Sequence, residues 1–419
     1  MTSTLAPLLA VSLGASPATL GLIVSATFLF PLFLAIPTGQ LVDRVGGKPV
    51  AIAGTLLLFA APVWVAIDAS IAALLALQVL TGLGQLLAVV AAQSLVARFG
   101  EGRDRERNYG VYGAFVSAGQ LLGPITAGVI LDASSFPASF TLAAAIAGLG
   151  VLTFTVAQLP RAMRAPVGDD TNGAANPDAS ATSSAPLNAA SSHQPAAGQA
   201  TQAQGAHDAR QGAGHPLVRA ILQVTQLLTY PSVRTGLWVS GTIMIVMIIH
   251  NSFLPAYLEG FAVPATVIGA VISTRSLVAV AVRPFMASII AALGGRVPTF
   301  LVTLILAALG TAGIALGPAL VVQLLAAAAL GVAVGVAQPL TMVAVVEDVA
   351  TERHGFALGT RITANRVAQF SAPLAIGALA QAFGYTVTFL LSAGFLTLMT
   401  LALPLVQRTQ DTRDAAGAR

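Results

Sequence analysis

Long apolar runs separated by short polar joints dominate the chain. The runs cover residues 19–38, 49–67, 71–97, 109–131, 138–159, 235–258, 266–292, 298–316, 319–346, 357–381 and 386–406. A helix of about 20 apolar residues crosses the hydrocarbon core of a bilayer, and over such a run a helix satisfies its own backbone without water. The pattern therefore predicts eleven membrane-spanning helices. A shorter apolar piece, Leu5 to Leu13, precedes them and stops at Gly14-Ala-Ser-Pro17. At about 1.5 Å per residue it reaches only part-way across. No basic stretch leads into it, so it is not a cleaved signal; it reads as the outer half of a first helix whose beginning is missing.

Composition agrees and closes off other classes. Of the 419 residues 56% are hydrophobic and 9% charged, with a mean hydropathy of +0.83. A soluble domain carries roughly 25% charged residues. A soluble globule, including a nucleic-acid-binding one, is thereby excluded, and a net charge of +4 does not argue otherwise. The absence of cysteine removes disulfide frameworks, thiolate metal sites and cysteine nucleophiles. Enzyme motifs fail as well. A phosphate-binding loop around Gly47-Lys48 would need Gly at Val42 and Ser or Thr at Pro49, and Gly82-Leu-Gly84 lacks the third glycine of a dinucleotide loop. Neither an enzyme nor a cofactor-binding protein is expected, and no metal site.

Charge placement orients the spans. Of the 20 Lys and Arg, four lie inside spans, and the others (Arg44, Lys48, Arg98 and Arg103 among them) all fall in segments on one side. The loops of the other side hold Asp68, Asp132 and Glu259 and no basic residue. By the positive-inside rule the basic side is cytoplasmic, with both termini there, in a multi-pass protein of the cytoplasmic membrane.

Residues 160–216 change character to Ala, Ser, Gln, Gly, Asn and Pro, a composition that buries too little apolar surface to order itself. They read as a disordered cytoplasmic linker between bundles at 1–159 and 235–408. Leu217, Ile221, Val224 and Leu228 share one helical face, which places an amphipathic surface helix at 217–234. Residues 409–419 form a polar tail. The two sides of the linker repeat each other. Gln120-Leu-Leu-Gly-Pro124-Ile-Thr-Ala-Gly128 matches Gln369-Phe-Ser-Ala-Pro373-Leu-Ala-Ile-Gly377, and the same offset of 249 pairs Gly110 with Gly359 and Gly82 with Gly331. Gly46-Gly47-Lys48 faces Gly294-Gly295-Arg296 with a slip of one. Parallel repeats of six helices are a carrier design, with the substrate held between halves near the midplane.

Between spans two and three stands Gly39-Gln-Leu41-Val-Asp43-Arg44-Val-Gly46-Gly47-Lys48. It resembles the G-x-L-x-D-R-x-G-R-K signature of the major facilitator superfamily, with Gly47 in place of the second arginine. The resemblance implies an all-α fold of two six-helix bundles about a pseudo-two-fold axis along the membrane normal. It also implies a latch, in which Gly39, Asp43, Arg44 and Lys48 hold the halves together while the protein is open to the outside. In span five, Gly110, Gly119, Gly123, Pro124, Ala127 and Gly128 are similar to the family's antiporter motif, which is associated with exporters. Small residues four apart give a flat helix-packing face. In span four, Gln78-Val-Leu-Thr-Gly82-Leu-Gly84 departs from the family's R-x-x-x-G-x-G element. The arginine linked in relatives to proton coupling is absent, which argues against simple proton/drug antiport.

Four basic residues lie within spans: Arg275 and Arg283 in the eighth, Arg361 and Arg366 in the eleventh. Such charges cost at least ~2.5–3.5 kcal/mol and normally face an aqueous path or a partner. Arg275 and Arg366 are the deepest, and no Asp or Glu sits deep in any span, so a substrate with an anionic group is expected to meet them. Asn365, Gln78, Gln85 and Gln120 supply polar lining. Arg283 and Arg361 lie nearer the basic side and are gating candidates, with Glu347, Asp348 or Glu352 as partners. His250, beside Asn251 in span seven, is the candidate proton carrier or outer-gate group. The sequence thus predicts a secondary transporter, monomeric and embedded in lipid, that exports or exchanges a small organic solute. Proton-coupled export of cationic or neutral drugs is the alternative of the same class, and a non-transporting sensor on the same fold that of another.

Overall fold

The computed structural model describes residues 1–97, 102–156, 224–350 and 353–408. They contain helices and no strand. A half-span, α1 (Thr2–Ser12), is followed by α2 (Pro17–Val45), α3 (Gly47–Ile67), α4 (Ile71–Ala97), α5 (Gly102–Ala133) and α6 (Phe136–Val156). The second half comprises α7 (Pro231–Glu259), α8 (Ala265–Ala292), α9 (Arg296–Ile314), α10 (Leu320–Glu347) and a helical run His354–Arg408. That run breaks at Gly384 (φ 78°, ψ 164°) into α11 (354–383) and α12 (385–408). Ten stretches are long and apolar enough to cross a membrane, and the last of them, Phe356–Pro404, contains this break, so all eleven expected spans are present.

Met1–Val167 and Leu228–Arg419 form one compact body, and Gly168–Leu227 a separate unit in which only residues 224–227, one helical turn, are described. The linker expected at 160–216 and the tail at 409–419 lie outside the described residues. Of the surface helix expected at 217–234, the last four residues already belong to α7. Pro231 starts that helix early, its fixed φ suiting a first helical position.

Within the first half, α3 packs on α4 and α6, and α2 on α4. Within the second, α10 packs on α7, α8 and α9. Glycines bring the backbones close. Gly54 of α3 and Gly84 of α4 face each other, where a methyl group on Gly84 would sit 2.8 Å from the Gly54 carbonyl oxygen. Gly82, one turn-face away, lies against Thr27 of α2. The span-four glycine pair is therefore a packing device. Both repeat loops turn on glycines with positive φ, Gly46 at 87° and Gly294 at 79°, a region that costs other residues roughly 1–2 kcal/mol. Large apolar side chains such as Leu152 of α6, Leu309 of α9 and Leu398 of α12 stand exposed along their helices, as a lipid-facing protein requires.

One end of the body carries Arg44, Lys48, Arg296 and Arg353 and is called the basic end; the other carries Asp68, Asp132 and Glu259 and is the acidic end. The halves meet mainly in two seams, α5 on α8 and α2 on α11, and α1 also packs on the outer end of α7.

Candidate functional site

The seams fix where a path between the halves opens. In one, Gly128 of α5 lies on Ala265, Gly269 of α8 lies on Pro124, and Ser273 Oγ donates to the Leu121 carbonyl at 2.6 Å. In the other, Gly21 of α2 lies on Pro373 and Gly377, and Ser25 Oγ donates to the Phe370 carbonyl at 2.8 Å. A methyl group on Gly377 would stand 2.7 Å from the Pro17 carbonyl oxygen. All of these contacts lie in the half of each helix toward the acidic end. Toward the basic end the same helices carry Gly39, Gly110, Gly113 and Gly359 on the seam faces, and a methyl group at any of these would meet nothing within 4 Å. The halves are pressed together at the acidic end and parted at the basic end.

The residues expected to form a latch lie at the parted end. Asp43 and Arg44 are exposed, and neither has a hydrogen bond or ion pair among the described residues. Lys48 holds its own half together, Nζ donating to the Thr155 carbonyl of α6 at 3.1 Å. Of the span-five motif, Pro124 and Gly128 form the seam, Gly123 faces α1 at Met1, and Gly110 and Gly119 face open space.

Two polar clusters sit in the second half, both leaning on α7. In the first, α7 widens into a π-turn over Ile249–Phe253, a distortion common at functional positions. It presents Asn251, whose Oδ1 accepts from Arg275 Nη2 of α8 at 3.1 Å. The same nitrogen reaches Ser276 Oγ at 3.4 Å. Arg275 is 5% exposed and its Nε has no partner; His250 is fully buried and neither ring nitrogen has one. Buried polar atoms without partners are costly and call for an explanation.

The second cluster is on α11. Arg366 Nη1 donates to Gln369 Oε1 at 2.9 Å, and Gln369 Nε2 reaches Met244 Sδ of α7 at 3.1 Å. Asn365 Oδ1 accepts from Ser240 Oγ at 2.8 Å, so Asn365 ties α11 to α7. Met244 and Asn251 are seven residues apart, which puts the Arg275 cluster about 10 Å nearer the acidic end. Among the described residues neither arginine touches a carboxylate.

The other gating candidates behave differently. Arg361 is 4% exposed, and its Nε and Nη2 donate to Thr341 Oγ1 of α10 at 3.2 and 2.9 Å, with a further bond to the Gln338 carbonyl at 3.3 Å. It is a brace between α10 and α11. Glu347, expected as a partner for Arg283 or Arg361, is instead paired with Arg296, the residue that opens α9. The i,i+20 approach of Arg361 to Thr341 brings it to a hydroxyl inside the bundle, beyond reach of the acids at the end of α10. Arg283 is exposed at a short 3₁₀ turn, Arg283–Phe285, that interrupts α8. Gln78 is buried, Gln85 and Gln120 are exposed, and no hydrogen bond joins any of the three to another described residue. Asn251, Gln369, the seam pair Gly21 and Gly269, and Asp132, which binds the start of α8, were not singled out by sequence. The offset of 248 between Gly21 and Gly269, and between Ser25 and Ser273, was the signal available.

Known proteins agree with this architecture. The chain is 31% identical over 157 residues to the methyl viologen resistance protein SmvA of Salmonella typhimurium, a stretch covering 37% of this chain and 32% of that one. The chain thus matches about a third of that relative's length. Among solved structures, it resembles a point mutant of the peptide transporter POT with a TM-score of 0.69 at 17% identity, covering 97% of this chain and 92% of the other. It resembles the nucleoside transporter NupG with a TM-score of 0.70 at 13% identity, covering 97% and 95%. At such identities these likenesses show the fold. The sequence model of the Major Facilitator Superfamily matches residues 1–196 and 236–418, and the chain belongs to that superfamily.

Proposed function

We propose that this protein moves a small organic solute bearing an anionic group by opening its two ends in turn, in the direction of export or exchange. One observation carries the proposal. Arg275 and Arg366 lie within spans, and their partners are amides and a hydroxyl, with no carboxylate among them. A cation kept inside a membrane at a cost of several kcal/mol is retained for an anion that comes and goes. The positive-inside rule supports a basic end in the cytoplasm of an inner-membrane protein, with the C-terminal helix α12 ending there, whereas α1 begins inside the body beside Gly123. The described state is then the one open to the cytoplasm, in which a superfamily latch is disengaged, in keeping with exposed Asp43 and Arg44. One chain contains both halves, so a monomer suffices. Pro124 and Gly128 in the seam fit the exporter association of their motif.

The test is ligand-induced stabilisation followed by flux in proteoliposomes. A panel of organic carboxylates and phosphates should contain a compound that raises the melting temperature, since a ligand at 100 times its dissociation constant stabilises by about 2.7 kcal/mol. Arg366→Ala should abolish that rise and cut flux at least roughly 100-fold, the loss of a charge-assisted pair, while Arg366→Lys restores part of both. Unchanged flux in Arg366→Ala and Arg275→Ala overturns the anionic reading.

A second reading has its own support. The SmvA relative carries a name for resistance to methyl viologen, an organic dication. Efflux of methyl viologen that survives both arginine substitutions would favour a drug exporter, with its acid on a part of the path other than these clusters.

A further inference from the structure

Helix α8 begins without a cap of its own. The residue before it is Pro264, and no side chain of its own loop closes the first turn, although the first N–H groups of a helix have no partner within it. The other half supplies the acceptor. Ala265 and Thr266 donate their backbone N–H groups to the two carboxylate oxygens of Asp132, on α5, at 2.9 and 2.7 Å. An anion at the positive end of a helix is favourable, and hydrogen bonds to an ionised acceptor are stronger than neutral ones.

Asp132 is the outermost rung of the α5–α8 seam, followed inward by Gly128 on Ala265, Pro124 on Gly269 and Leu121 on Ser273. The α2–α11 seam repeats the inner three rungs and lacks the fourth. At the position 249 residues beyond Asp132 stands Gln381, exposed and without a hydrogen bond to α2. The start of α2 is closed from within its own half, where Ser16 Oγ accepts from the Thr19 N–H at 3.2 Å. Two seams alike in sterics differ in one charged clasp.

We infer that Asp132 is a one-sided lock on the acidic end, which makes the α5–α8 seam the last to part when that end opens and the α2–α11 seam the first. The lock presupposes that the two ends open in turn. Its bonds cross between the halves, so they break when α5 leaves α8 and stay intact when the basic end moves. Glu259, at the end of α7 in the same half as α8, is a like-charged neighbour at this end, its carboxyl pKa raised by burial and, less, by the Asp132 charge.

The chain has no native cysteine, so paired spin labels report one distance. Cysteines replacing Ala69 and Leu316, in the exposed acidic-end loops of the two halves, would be labelled in the full chain in lipid nanodiscs and measured by pulsed electron resonance. Asp132→Asn, which keeps the shape, and Asp132→Ala should each raise the long-distance fraction roughly two- to five-fold, the range expected for a charge at a helix end. Glu259→Gln should lower it, and Ser16→Ala should leave it unchanged. Gly128→Leu, which must spread the same seam by bulk alone, establishes that the labels report opening. Distributions for both Asp132 variants that superimpose on the parent, while Gly128→Leu shifts, overturn the lock alone; a distance that Gly128→Leu also fails to move overturns alternating opening itself. An equal shift from Ser16→Ala would make the clasp two-sided and overturn the asymmetry.

Discussion

The two halves of this carrier are alike where backbone meets backbone and unlike where chemistry is done. Gly21 and Ser25 of α2 recur as Gly269 and Ser273 of α8, and Pro124 and Gly128 of α5 recur as Pro373 and Gly377 of α11. Each of these positions forms a seam, and the four glycines are fixed by distance: a side chain on any of them would enter a carbonyl of the opposite helix. The charged positions are not shared. Arg275 corresponds to Thr27 at the same offset of 248, while Arg361 and Arg366 correspond to Tyr112 and Ser117 at 249. Steric demands act on both copies because both seams must close. A buried cation is expensive in hydrocarbon and is kept only where it serves. The comparison assigns closure to both halves and puts the buried arginines, on which the proposed solute recognition rests, in the second.

The strongest way to break this division is to fill a seam. Gly128→Leu drives a side chain into the Ala265 backbone of α8, and overpacking of this kind costs about 1–3 kcal/mol. The expected outcome is a lower melting temperature and an acidic end that stays open, read by labelling of a cysteine at Ser273 with a membrane-impermeant thiol reagent. Gly110→Leu, on the same helix but in open space, should change stability by no more than about 0.5 kcal/mol. Equal losses from the two substitutions would mean that α5 is packed along its whole length and that the seam is not special.

The next contrast lies within α11, between two arginines five residues apart. Arg361 makes three hydrogen bonds to α10 and is 4% exposed. Arg361→Ala removes all three bonds and leaves Thr341 Oγ1 with only its own bond to the Gln338 carbonyl, at about 1–3 kcal/mol of stability. Among the described residues Arg366 bonds only to Gln369, on its own helix. Arg366→Ala should leave the melting temperature of the ligand-free protein within error and remove its response to an anionic ligand, whereas Arg361→Ala lowers the former and retains the latter. A reversed pattern in thermal melts would move the solute site from Arg366 to Arg361.

The spans were legible because hydrocarbon imposes length and composition together, and the six-helix repeat because Pro124, Gly128 and their copies keep one spacing. What escaped was set by geometry between helices. Asp132 sits in a loop-like place by hydropathy, and nothing local says that the start of α8 lies beside it. The π-turn that presents Asn251 to Arg275 precedes Pro255, whose ring and missing N–H disturb the ladder back to the Asn251 carbonyl, a signal that hydropathy does not register; His250 lies buried in the same turn. Arg361 looked like a gate because charge near a membrane edge reads alike for a brace and a switch until its partner is known. Gly110 and Gly119 belong to a recognisable motif, yet in this state only its Pro124–Gly128 end touches the other half.

The smallest effect expected is at Asp43, because the described state is the one in which it has nothing to hold. Its carboxylate is exposed, and Gly39 beside it faces open space. Asp43→Asn should therefore leave the stability of the basic-end-open state untouched and weaken only the opposite state, where a superfamily latch engages. A charge–helix contact of about 0.3–1 kcal/mol converts to a population shift of roughly two- to five-fold toward the basic end being open. A cysteine at Gly359, which lies clear of all neighbours here, should then react faster from the basic side by a similar factor, with no change in melting temperature. Because Gly359 repeats Gly110, a cysteine at Gly110 gives the matching measurement in the other half. Acceleration at both positions means that the halves part as rigid bodies. Acceleration at Gly359 alone would place the motion in α11, and an unaltered rate at both would remove Asp43 from the gate.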